Sequence, residues 1–249
     1  MMKLLVIVLC LLSERYLMHA SAHSRFYWFS RYANAMKLNL SKTGINAWGI
    51  LASLILPIAL AVFALFYLVE DKVFGFVGLI LNIFVFYYCL GPDNPFYAKR
   101  LEKEKEITSI EVGDYLAQVN GQLFAVIFWY IVSGPVGVVI YRLISLCQRD
   151  ETVQRQAAWL TGILDWAPAK LTSLLYLLVG NFQAGFSCFS ELFFASPEKN
   201  QTMLSGCGLQ AVGFEKNEQT PMPHAEMLVE HAVIVLLVFL AFFTLVAWL

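Results

Sequence analysis

Ala47-Trp-Gly-Ile-Leu-Ala-Ser-Leu-Ile-Leu-Pro57-Ile-Ala-Leu-Ala-Val-Phe-Ala-Leu-Phe-Tyr67-Leu-Val69 runs for 23 residues without a charge. A helix of about 20 apolar residues crosses ~30 Å of hydrocarbon. This one stretch therefore reads as a membrane span. Moving outward, Val73–Gly91, Leu123–Tyr141 and Ala232–Leu249 are also uncharged. None alternates as a membrane strand would. A backbone in lipid must satisfy its own hydrogen bonds, so each is expected to be helical. The bulk composition agrees, with 59% hydrophobic residues, 14% charged and a mean hydropathy of +0.65. Soluble domains are about 25% charged. A large soluble enzyme and a disordered chain are both excluded. The expectation is an all-α, polytopic helical membrane protein with about four spans plus amphipathic or re-entrant helices. All of residues 1–249 form a single membrane domain in this reading.

Only Glu70, Asp71 and Lys72 separate the first two spans, which calls for an antiparallel hairpin. Pro57 should kink the first span. Trp48, Tyr67, Tyr87, Tyr88, Trp129, Tyr130, Tyr141 and Trp248 crowd the span ends. Each fits an interfacial belt or simple packing between helices. Lysine and arginine collect before the first span and again at Lys99, Arg100, Lys103 and Lys105. The hairpin tip holds only Lys72. Basic loops stay inside, which places the N-terminal segment and residues 92–122 in the cytosol.

Ala157–Gly180 is apolar but carries Asp165, Pro168 and Lys170. It reads as a broken or re-entrant helix, or as an amphipathic pair on the surface. The side of residues 181–230 depends on which, and these are expected to be loop. Pro197, Gly206, Gly208, Gly213, Pro221 and Pro223 give residues 196–224 a loop composition. Residues 97–106 alternate in charge and read as a solvated helix face. From Ile107 to Leu123 apolar residues recur near a helical period, an amphipathic helix feeding the third span. Residues 1–22 imitate a signal peptide, with Lys3, an apolar core at Leu4–Leu12 and Ala20-Ser21-Ala22. Glu14, Arg15 and the run Phe26–Phe29 fit better with a helix along the interface.

The net charge of -1 offers no footprint for nucleic acid. Gly206-Cys207-Gly208 lacks the strand and lysine of a phosphate loop. His19 and His23 share a helical face but have too few companions for a metal site. The five cysteines show no ligand spacing; Cys188 and Cys207 pair only if their loop is outside, and buried thiols are the plainer reading. Two stretches carry more. In residues 128–137, Ser133, Gly134 and Gly137 would admit a close neighbouring helix, and Pro135 would bend the span. In residues 165–172, an acid and a base sit in an apolar stretch, where charged groups are costly and often functional. A break at Pro168 would turn Asp165 and Lys170 toward one polar pocket; the alternative is a capping Asp165 and a snorkelling Lys170.

Residues 128–142, Phe-Trp-Tyr-Ile-Val-Ser-Gly-Pro-Val-Gly-Val-Val-Ile-Tyr-Arg, resemble the CobD/CbiB membrane proteins. So does Asp-Trp-Ala-Pro-Ala-Lys-Leu-Thr at 165–172. Those are adenosylcobinamide-phosphate synthases, which attach an aminopropanol arm to a corrinoid carboxylate using ATP. The start Leu-Leu-Ser-Glu-Arg-Tyr (11–16), the Asp-Trp-Ala-Pro wording, the turn at 90–93 and the C-terminal span are more similar to the sister AmpE group. The synthases carry acids just before Phe-Trp, where this chain has Ala117-Gln-Val-Asn120-Gly-Gln122. They also carry arginine at the position of Lys170, and lysine cannot grip an anion bidentately.

The AmpE likeness implies a non-catalytic accessory signalling or sensor protein in a bacterial inner membrane. That role is linked to cell-wall recycling and β-lactamase induction. Its partners would be the bilayer and a muropeptide-type ligand or a partner protein. The alternative is an ATP-dependent membrane ligase or transferase of the synthase type. Asp165, Trp166, Lys170, Trp129 and Arg142 are the expected ligand or partner contacts. Gly134, Pro135, Gly137 and Pro168 are expected to be structural. No catalytic residue, metal or cofactor is expected; ATP and Mg²⁺ enter only with the alternative.

Overall fold

The computed structural model describes residues 2–16, 26–40, 45–70, 76–91, 109–213 and 222–246. His19, His23, the charged run 97–106 and the tip at Asp71 and Lys72 lie outside them. The described helices are α1 (Met2–Tyr16), α2 (Tyr27–Leu40), α3 (Ala47–Glu70), α4 (Phe76–Cys89), α5 (Ser109–Val119), α6 (Ala125–Cys147), α7 (Gln154–Val179), α8 (Phe182–Leu192), α9 (Asn200–Ala211) and α10 (Met222–Val246). A π-helical turn, Asn120–Phe124, joins α5 to α6. Among the described residues there is no strand, and the chain is an all-α, multi-pass membrane protein.

Four stretches are long and apolar enough to cross a bilayer: Ala47–Val69, Ser109–Cys147, Gln154–Val179 and Met222–Val246. The described set differs from the expected one in three places. First, α4 has 14 described residues, about 21 Å at 1.5 Å per residue, and residues 73–75 of the expected span 73–91 lie outside the described residues. Second, α7 is one continuous 26-residue helix and not a broken segment at 157–180. A membrane helix tolerates Pro168 because neighbouring groups can take up the carbonyl that its missing N–H releases. Third, the last span begins ten residues before Ala232, at Met222.

The expected loop 181–230 is also corrected, since it contains α8 and α9. Asn181 caps α8, its Oδ1 accepting from the backbone N–H of Ala184 at 3.1 Å. Pro197 opens a short 3₁₀ turn that leads into α9, a proline at a helix start and not a loop marker.

The chain divides into two units. The first takes 93–125 and 164–249; the second takes 2–92 and 126–163. In the second, α1 packs on α4 and buries Val6, Ile7, Cys10, Leu11 and Glu14. Leu5, Leu9 and Leu12 of the same helix remain exposed. Along α3, Leu51, Leu54 and Ala59 are buried, while Leu60, Phe63, Tyr67 and Leu68 are exposed. Exposed side chains this apolar on a membrane helix face lipid. Phe86 of α4 meets Tyr130 of α6 at 4.8 Å between ring centroids, and Tyr130 donates to Asn82 Oδ1 at 2.9 Å.

In the first unit, α9 packs against α5 and α8. Glycine makes room at two close approaches. At the α5–α9 crossing a Cβ on Gly208 would lie 2.7 Å from Leu116 Cδ1, and in the link between α7 and α8 one on Gly180 would lie 2.3 Å from the Ala211 carbonyl oxygen.

Candidate functional site

The second motif builds the site, and it does so within the first unit. On α7, Ala169, Thr172, Ser173 and Tyr176 fall at i, i+3, i+4 and i+7 and are all fully buried. Thr172 Oγ1 donates to Asn120 Oδ1 at 2.9 Å. Tyr176 donates its hydroxyl to the Leu116 carbonyl at 3.0 Å. Asn120 opens the π turn, where the Ala125 N–H reaches back to the Asn120 carbonyl, five residues away, and Leu116 lies four residues before it in α5. Such turns disturb the regular helical ladder and recur at functional sites. Ser173 Oγ is buried without a hydrogen-bond partner.

Lys170 follows on the same helix and is 8% exposed. Its Nζ lies 3.7 Å from the Trp166 ring centroid and 6.0 Å from that of Phe193. It donates to the Trp166 carbonyl at a long 3.4 Å. Trp166 is held in turn by its Nε1–H, which donates to the Ala195 carbonyl at 3.1 Å. The segment after α8 therefore closes an aromatic clasp over a buried cation. A lysine ammonium over an indole face is attracted by the negative face of the ring. An anion arriving there would exchange a cation–π contact for a charge-assisted hydrogen bond, the stronger interaction.

Asp165 is half-buried on α7. The shared pocket for Asp165 and Lys170 required a break at Pro168. Without one, five residues of helix put the two about 140° apart. The pocket reading is corrected on that ground, and the Lys170 clasp replaces it.

The first motif lies in the second unit and is differently employed. Arg142 is 4% exposed, and its Nε donates to the Cys89 carbonyl at 2.6 Å. That carbonyl ends α4 and has no partner within its own helix. Trp129 is half-buried and stacks edge-on with Phe128 at 5.4 Å. The bend expected at Pro135 falls at Gly134, which adopts φ 69° and ψ -160°. That conformation is essentially reserved for glycine. The close neighbouring helix expected at Gly134 and Gly137 is corrected. A Cβ on Gly134 would meet nothing within 4 Å, and one on Gly137 would strike Ser133 of its own helix at 2.1 Å.

Asn120, Thr172 and Ser173 escaped the sequence reading. The available signal was three polar residues on otherwise apolar helix faces. On α10, Glu226 and Glu230 stand one turn apart and near enough to Tyr115 of α5 to act on it. Among the described residues no three His, Cys, Asp or Glu side chains gather to hold a metal.

Two curated relatives share sequence with this chain. The cobalamin biosynthesis protein CobD of Stutzerimonas stutzeri is 31% identical over 119 residues, 44% of this chain and 39% of its own length. The cobalamin biosynthesis protein CobD of Chromobacterium violaceum is 28% identical over 119 residues, 44% of this chain and 38% of its own length. The chain thus spans under two fifths of the relatives it matches. No family model matches it, and no solved structure does. These relatives bear out the CobD/CbiB side of the resemblance. Both are named for biosynthesis, which overturns the non-catalytic signalling role drawn from the AmpE likeness.

Proposed function

We propose that this chain works in cobalamin biosynthesis as a membrane ligase of the adenosylcobinamide-phosphate synthase type. It would join the amine of an aminopropanol arm to a corrinoid carboxylate with ATP. The likeness to the two CobD proteins carries this reading. The buried Lys170 supports it, since a fixed cation suits a carboxylate or phosphate. Lysine binds such a group as a point charge, and the second contact that arginine would give must come from elsewhere. The unsatisfied Ser173 hydroxyl, three residues on, is a donor of the right kind. ATP would bring Mg²⁺ with its phosphates. Among the described residues no three His, Cys, Asp or Glu side chains form a metal cage. The basic segment at 97–105 supports a bacterial inner membrane orientation with residues 92–122 in the cytosol.

The test is conversion by the purified full chain in detergent. Corrinoid acid, aminopropanol or its phosphate, ATP and Mg²⁺ are supplied, and the product is weighed. A mass gain equal to the amine less water, with ATP consumed, is expected. Folded protein that neither consumes ATP nor forms the amide, and that fails to restore cobalamin synthesis in a CobD-deficient bacterium, would overturn the proposal.

A further inference from the structure

The cysteines of α8 and α9 are a different matter from the clasp. Cys207 Sγ donates to Cys188 Sγ at 3.4 Å, across the crossing of two helices in the first unit. Cys207 is fully buried, whereas Cys188 is half-buried. The approach depends on a glycine. A Cβ on Gly206 would lie 3.2 Å from Cys188 Sγ, so a larger residue there would press on the sulfur. The other three cysteines, Cys10, Cys89 and Cys147, are buried in the second unit. Two thiols facing one another at this distance need only a small side-chain rotation to bond.

We propose that Cys188 and Cys207 form a reversible disulfide that staples α8 to α9, made by exchange with a disulfide-bearing oxidant. The order follows from exposure. The Cys188 thiolate attacks one sulfur of the oxidant, whose S–S bond breaks, and the other sulfur leaves as a thiolate with the electron pair. Cys207 then loses its proton and attacks Cys188 Sγ, expelling the second thiolate of the oxidant. Two thiols lose two electrons and two protons, and the oxidant's disulfide becomes two thiols. Burial, then the neighbouring Cys188 sulfur, hold the Cys207 thiol well above its ordinary range. It is therefore poorly suited to attack first and suited to the second step, where its partner is already in contact. This pairing does not rest on the ligase reading.

The full chain in detergent is treated with oxidised glutathione, denatured under N-ethylmaleimide and digested without reductant. A crosslinked peptide joining Cys188 to Cys207 is expected, 2 Da lighter than the two thiol peptides together and reversed by dithiothreitol. Cys10, Cys89 and Cys147 should remain alkylated. Gly206→Val should lower the crosslink yield severalfold. Cys188→Ser should leave Cys207 fully alkylated, with the fold checked by gel filtration. Alkylation of both Cys188 and Cys207 in oxidised wild type would overturn the proposal. So would glutathione retained on Cys188 without transfer to Cys207.

Discussion

Residues 128–142 and 165–172 carry the same kind of sequence signal, and the protein uses them in opposite ways. Each contains a proline in an apolar helix and a cation near its end. In the first, the helix breaks at Gly134, and Arg142 is committed to the end of α4. In the second, the helix runs on through Pro168, and Lys170 lies against the Trp166 and Phe193 rings with one long carbonyl contact. In this chain the break falls at Gly134, which takes positive φ, and not at Pro168. A buried cation is not in itself a ligand site. Its existing partners decide whether it is available.

Arg142→Met tests the first half of this contrast most severely. It leaves a buried helix-end carbonyl without its charged donor, a loss of about 3 kcal/mol. Folded protein should fall sharply in detergent-resolved gel filtration. Normal yield with lost activity would instead make Arg142 a ligand residue and erase the contrast. Gly134→Ala forces a Cβ into a glycine-only conformation and should cost about 2 kcal/mol. Pro168→Ala should be neutral or mildly stabilising; thermal unfolding of the pair measures the difference directly. Thr172→Val removes the donor to Asn120 and should cost about 1.5 kcal/mol. Lys170→Met keeps the apolar stem on Trp166 and should lower stability by under about 1 kcal/mol. Conversion of the corrinoid acid should nonetheless be abolished. If Lys170→Met turns over normally, the second motif is structural as well.

Much of the fold was legible in the sequence because lipid imposes a simple rule. The uncharged run at 47–69 is α3 to within a residue, and the amphipathic pattern after Ile107 is α5. The failures have specific causes. Helix α9 was hidden because Gly206 and Gly208 looked like loop residues, whereas Gly208 makes room for Leu116. Proline at 168 suggested a break that only backbone geometry could refute. Lys170 was visible as an anomaly in an apolar run, but its clasp needed Phe193 and Ala195, more than twenty residues away. Asn120 and Thr172 are 52 apart in sequence, and nothing local announces their bond.

The stacking of Lys170 on Trp166 also has an optical consequence. An indole emits according to the electric field along its long axis, and a cation 3.7 Å from the ring centre contributes heavily to that field. Drawing the ammonium toward an incoming anion removes the charge from the ring face and alters both colour and intensity of emission. Trp166 is one of six tryptophans, so replacing the others with phenylalanine would isolate it. The protein then carries a built-in fluorophore beside the buried Lys170 cation, and titrating an anion becomes a matter of reading light.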